Sequence, residues 1–120
     1  MGLTHVTVNL KSALTAKKKF EAEFLVDTGA TDCMAPAKQL LKAGIKPIGK
    51  TVYELANGAT HEYPYGLATI EFMGEITAGR VIFGPDDVEP ILGVTALDSV
   101  GIFVDPARQT LKRMPAIPLK

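Results

Sequence analysis

The 120-residue sequence has no tryptophan and one cysteine, and only 7% of its residues are aromatic. So few aromatic rings leave no stacking platform for nucleotide bases. Cys33 alone cannot close an internal disulfide. An excess of charge of either sign is also lacking. Lys and Arg number 13, Asp and Glu number 13, and the formal net charge is zero. A neutral chain has no general electrostatic grip on nucleic acid or an anionic membrane, so neither is expected as a partner. Apolar runs are short, as in Phe24-Leu25-Val26 and Val81-Ile82-Phe83. None approaches the roughly 20 residues of a spanning helix. The first residues lack the apolar core of a signal peptide. Met1-Gly2 would suit myristoylation, but Val6 stands where that motif needs Ser or Thr. Together with the lone cysteine, these features predict a cytoplasmic protein. The 47% hydrophobic and 22% charged residues are ordinary globular values. The length suits one domain over residues 1–120.

The 11 glycines and 8 prolines are scattered as punctuation, which suits short strands joined by turns. Val6, Val8 and Leu10 alternate with polar residues and predict a first strand. Lys17-Lys18-Lys19 reads as a solvated turn. Phe20, Ala22, Phe24 and Val26 predict a second strand running into Asp27-Thr28-Gly29. A helix is expected from Pro36 to Ala43, with Leu40 and Leu41 as its apolar stripe and Gly44 as its left-handed stop. Residues 51–69 read as a long hairpin with a two-residue turn at Asn57-Gly58, its return strand interrupted at Pro64 and Gly66 by an edge or a bulge. Leu67–Phe72 and Ile76–Phe83 form a second hairpin around Met73-Gly74-Glu75. After the loop Gly84-Pro85-Asp86-Asp87 comes a short buried run, Pro90-Ile91-Leu92-Gly93. Thr95 and Asp98 suggest a capping box for one short helix ended by Gly101. Phe103-Val104 and residues 109–113 suggest a last hairpin across Asp105-Pro106, and prolines keep the tail from helix. Strands without alternating helices predict an all-β domain with one or two short helices.

Asp27 carries the chemistry. A carboxylate at the end of Phe24-Leu25-Val26 sits at the edge of a core and must be paired, hydrogen-bonded or protonated. Thr28 offers a hydroxyl that can lock a loop, and Gly29 lets backbone approach the carboxyl. The same tripeptide is also good turn chemistry, so the triplet alone leaves turn and catalysis equally open.

The wider pattern separates them. Phe24-Leu25-Val26-Asp27-Thr28-Gly29-Ala30-Thr31 resembles the active-site strand and loop of aspartic proteases, and Ile91-Leu92-Gly93 resembles their second signature. Between the two lies the Asn57-Gly58 hairpin, where that family carries its flap. With one Asp-Thr-Gly, the chain resembles the retropepsin-like, single-domain branch from Val6 to Arg113. The resemblance implies a closed all-β barrel in which Ile91, Leu92 and Gly93 support the Asp loop. It implies a homodimer that cuts polypeptide substrates, each subunit giving one Asp27 to a shared dyad. Thr28 would bond across the two-fold axis, and the Gly29 carbonyl would pair with substrate backbone. Ala30, Leu55, Ala56, Asn57, Gly58, Ile91 and Val94 would meet the peptide. The chemistry calls for no metal and no cofactor.

Two family positions differ. Retroviral members commonly carry an Asp and an Arg where this chain has Thr31 and Val94. Both ion-pair partners are replaced by uncharged residues, so neither is left as an orphan charge. The paired change points to a non-viral branch. The flap tip Ala56-Asn57-Gly58-Ala59 is less glycine-rich than viral tips, hence stiffer. The alternative is a retropepsin-like domain that binds peptides or dimerises without cutting. Other sites are weaker. His5 and His61 lack metal-ligand spacing, Cys33 reads as a small buried residue, Asp86-Asp87 lacks a calcium-loop pattern, Asp98 reads as a helix cap and Asp105 as a turn residue.

Overall fold

The computed structural model describes residues 4–119. The Met1-Gly2 reading lies outside them.

Among the described residues, nine strands and two short helices form: β1 (His5–Lys11), β2 (Phe20–Asp27), β3 (Cys33–Pro36), α1 (Ala37–Lys42), β4 (Gly49–Glu54), β5 (Thr60–Phe72), β6 (Glu75–Gly84), β7 (Ile91–Gly93), α2 (Val94–Ser99), β8 (Ile102–Asp105) and β9 (Thr110–Arg113). Seven strands join in the order β1-β2-β7-β3-β6-β5-β4, and β1 also pairs with β5. That extra pairing closes six of them into a barrel, leaving β4 outside on β5. Closure removes most of the edges that an open sheet would carry, while β4 keeps one free side. The expected all-β barrel with short helices is therefore what forms.

Alternation along the strands explains the core. Val8 and Leu10 of β1 and Phe24 of β2 point inward and are fully buried. Ile70, Val81 and Leu92 join them from β5, β6 and β7, with Leu97 of α2 and Ile102 of β8 closing one end. Each such side chain contributes about 1.5–3 kcal/mol on burial. The turn between β5 and β6 is two residues, Met73 and Gly74, both with positive φ (52° and 76°). That geometry matches the right-handed twist of the flanking strands.

Several local expectations are corrected. Strand β3 is not evident from alternation; it is an inner strand, parallel to β6 and paired with β7. The return strand β5 runs unbroken for 13 residues, and of the expected edge or bulge it is the edge that forms at Pro64, with no bulge or break. From Thr60 to Pro64 it has β4 as its only neighbour, and a strand with a free side tolerates a missing N–H. Gly66 marks a close approach rather than a break, since a Cβ there would stand 2.6 Å from the Lys46 carbonyl oxygen. Pro36 is the N-cap of α1 rather than part of it. Thr95 and Asp98 form no capping box. Gly93 is the N-cap of α2 without any side-chain cap, because the Val94 and Thr95 amides donate to the Ala30 and Thr31 carbonyls. Gly101 (φ +69°) ends that helix as expected.

Candidate active site

Asp27 is the last residue of β2, and it is positioned from both sides. The parallel pairing of β2 with β7 sets Leu25 beside Ile91, Val26 beside Leu92 and Asp27 beside Gly93. After Asp27 the chain turns. The Ala30 amide donates to the Asp27 carbonyl (3.1 Å), and the Gly29 amide donates to Asp27 Oδ1 (3.0 Å). The carboxylate is half-buried, with one oxygen oriented by backbone. A Cβ on Gly29 would stand 3.3 Å from that oxygen, tighter than side chains ordinarily pack.

Gly93 explains why the second signature needs glycine. A Cβ there would fall 2.5 Å from the Asp32 carbonyl oxygen and 2.7 Å from that of Thr31. The Asp loop lies directly on this residue. The two amides that follow it bind the loop's carbonyls at 2.8 Å (Val94 to Ala30) and 3.1 Å (Thr95 to Thr31). Loop and β7–α2 junction thus hold each other by backbone alone.

A cleft of about 280 Å³ opens beside the loop. Gly29 and Ala30 form part of its wall, and Met34, Leu55, Ile82 and Ile91 give it an apolar lining. Asp32, Tyr53, Glu54 and Tyr63 supply polar atoms at the same wall. The Tyr53 hydroxyl donates to Asp32 Oδ2 at 2.7 Å. Partial burial, then the Asp32 carboxylate, push the Tyr53 phenol up to about 12, so it remains a donor throughout ordinary assay ranges. The β4–β5 hairpin forms one side of this cleft. Its tip is a three-residue loop rather than the expected two-residue turn. Leu55 and Ala59 close it, and Ala56, Asn57 and Gly58 span it. The Gly58 amide donates to the Leu55 carbonyl, and Gly58 has φ +85°. Asn57 Oδ1 accepts from the Ala59 amide, so this side chain stiffens the tip itself.

Of the residues expected at the site, Gly29, Ala30, Leu55 and Ile91 meet at the cleft. Leu92 is buried beneath it. Ala56, Asn57 and Gly58 are at the exposed hairpin tip and do not line its wall. Val94 lies elsewhere, in a second hollow of about 300 Å³ with Thr28, Leu97, Ile102, Phe103 and Val104. Asp27 lines neither, but directly precedes Thr28 and Gly29, which face different hollows. Sequence reasoning missed Asp32, Tyr53, Tyr63, Met34 and Ile82. Alternation in β4 could have flagged Tyr53 as inward-facing, but its meeting with Asp32 is a tertiary event.

The other candidates resolve locally. Burial, opposed by a hydrogen bond from the Gly93 backbone and reinforced by Asp32, pushes the Cys33 thiol up to about 11, an inert state. Asp105 is a turn residue: its carboxylate accepts from the Ala107 and Arg108 amides and pairs with Lys112. Asp98 caps nothing with its side chain. His5 bonds Glu89 at the surface, and exposed His61 lies against Tyr63, with ring centres 4.3 Å apart.

This architecture recurs in solved structures. The simian foamy virus (mac) protease matches with a TM-score of 0.55 and 17% identity, over 78% of this chain and 91% of that one. The EIAV protease, solved with the inhibitor HBY-793, matches with a TM-score of 0.61 and 19% identity, over 83% of this chain and 89% of that one. At these identities the likeness is one of fold: the barrel is retropepsin-like. A search of curated proteins found no match. The family model described as "Aspartyl protease" matches residues 6–96, which include both the Asp loop and the β7–α2 junction beneath it. This chain belongs to the aspartyl protease family.

Proposed function

We propose that the chain is an aspartic endopeptidase, a single domain over residues 1–120, active as a homodimer with Asp27 of each subunit forming the catalytic dyad. One observation carries the reading. The Asp-Thr-Gly loop straddles two hollows, with Gly29 on the cleft and Thr28 on the second, so one loop can serve a substrate and a partner copy at once. Two carboxylates brought together share a proton, since both cannot ionise comfortably; aspartic proteases are the general example of this effect. The ionised Asp27 takes a proton from a water, which attacks the scissile carbonyl. The protonated Asp27 gives its proton to the carbonyl oxygen. As the intermediate collapses, the Asp27 that took the water's proton gives it to the leaving amine, and its partner takes a hydroxyl proton back, restoring the dyad. Thr28 holds the paired loops, and the Gly29 carbonyl accepts from the substrate backbone. The hairpin tip at Ala56, Asn57 and Gly58 closes over the peptide and excludes water. The apolar wall favours hydrophobic side chains next to the scissile bond.

The test is a peptide library digested from acid to neutral pH, with native chain and Asp27→Asn, with and without a statine-type inhibitor. Cleavage by the native chain alone, blocked by inhibitor, supports the proposal. Equal cleavage by both proteins refutes it, and peptide binding without cleavage marks a silent binding domain. Ultracentrifugation at assay concentration should find a dimer. A fully active monomer of 12.8 kDa would rule out the shared dyad.

A further inference from the structure

The β4–β5 hairpin is unevenly held. Along β4, Thr51 and Tyr53 face inward and are half-buried, while Val52 and Glu54 are exposed. Each inward residue is tied to the barrel by a side-chain bond. Arg80 of β6 donates to Thr51 Oγ1 (2.9 Å), and its guanidinium lies 4.0 Å from the centre of the Tyr65 ring. Tyr53 donates to Asp32 Oδ2 (2.7 Å). Beyond Tyr53 the pattern stops. Among the described residues, the only side-chain hydrogen bond in 55–59 is internal, from the Ala59 amide to Asn57. Asp32 belongs to the same loop as Asp27, and its carbonyl is pressed on Gly93.

We infer that Tyr53 is a positioning residue of the hairpin lid: its hydroxyl latches β4 to Asp32, dividing the lid into a fixed base and a free tip that hinges between Tyr53 and Leu55. This deepens the proteolytic reading above and rests on it for its kinetic part only. The latch ties the lid's base to the loop that carries Asp27, so the cleft keeps its width before a peptide arrives. Preorganisation of this kind lowers the ordering cost of binding and leaves the chemical step alone. Loss of the hydroxyl should therefore appear in KM rather than in kcat.

Two measurements test this. The first is hydrogen exchange by mass spectrometry on full-length Asp27→Asn protein, which reads the latch whether or not the chain is a protease. Adding Tyr53→Phe or Asp32→Ala should speed exchange in the lid's base, residues 50–54 and 60–62, by about tenfold, the scale of one hydrogen bond to a charged acceptor, and leave the tip unchanged. Asp32→Asn keeps an acceptor oxygen and should restore much of the protection. The Tyr53→Phe/Asp32→Ala pair should add little to either single change, because both remove one bond. The second is peptide cleavage by otherwise native chain, where Tyr53→Phe should raise KM about fivefold or more with kcat within about twofold. Unchanged exchange in Tyr53→Phe overturns the latch. So does faster exchange spread over β1 and β6, which marks general loosening, or full additivity of the pair. Failure of the native chain to cleave, with exchange as expected, counts against the protease and not the latch.

Discussion

Gly93→Ala isolates the contact that holds the Asp loop. The backbone of Gly93 (φ −84°, ψ 168°) is acceptable to alanine, so the substitution acts through space alone. The new Cβ would stand 2.5 Å from the Asp32 carbonyl oxygen, against 3.4 Å or more in ordinary contact. The loop must retreat by about 1 Å, since the obstacle is backbone and cannot swing aside. Overpacking of this kind costs about 1–3 kcal/mol. The retreat also stretches the bonds from Val94 to Ala30 (2.8 Å) and from Thr95 to Thr31 (3.1 Å) past useful length. Their loss adds about 1 kcal/mol each. The expected destabilisation is then about 2–4 kcal/mol after partial relaxation. Urea unfolding should register it as a midpoint lower by about 1 M or more, with an unchanged slope. Gly79→Ala is the control, because its Cβ would meet nothing closer than 3.8 Å. It should be neutral, or stabilising by about 0.5 kcal/mol. Peptide cleavage should fall about a hundredfold in Gly93→Ala, from misplacement of Asp27 by about 1 Å. If Gly93→Ala unfolds within about 0.5 kcal/mol of native, or Gly79→Ala is as damaging, the mutual-support argument fails.

Other outcomes follow from single features. The Cys33 thiol, raised from 9.0 to about 11, holds its proton when folded after losing it unfolded. Stability should therefore decline as pH rises from about 9, reaching a loss of about 2 kcal/mol near pH 11, and Cys33→Ala should flatten that decline in urea titrations. A thiol reagent should react with Cys33 slowly in native protein and fast in denaturant. Gly58→Ala meets no atom within 4 Å but must adopt φ +85°. It should cost about 1–2 kcal/mol by urea unfolding, from backbone strain rather than lost packing. Full stability in that variant would mean that the tip has a different turn.

What sequence could reveal divides by range. Alternation sets β1 and β2, because each has one face toward the barrel core. Met73-Gly74 and Gly101 are legible because a positive φ restricts residue choice at one position. The Asp loop is legible only together with Ile91-Leu92-Gly93 and the Asn57-Gly58 hairpin, because Asp27-Thr28-Gly29 alone is equally good turn chemistry. Several corrections involve a distant segment doing what a neighbour was expected to do. The α2 amides needed no Thr95 cap because Ala30 and Thr31 reach them across the fold. Pro64 did not break β5 because its second neighbour, β6, begins pairing only at Tyr65. Strand β3 is too short to have a period of its own and exists because β6 and β7 flank it. Val94 was expected at the cleft because it follows Ile91-Leu92-Gly93, yet α2 begins at that very residue. The change from strand to helix ends the alternation and turns its side chain toward Thr28. The same turn explains why Thr31 and Val94 can both be uncharged. The Val94 amide already donates to the Ala30 carbonyl and the Thr95 amide to the Thr31 carbonyl, so this junction is held within one chain without an ion pair.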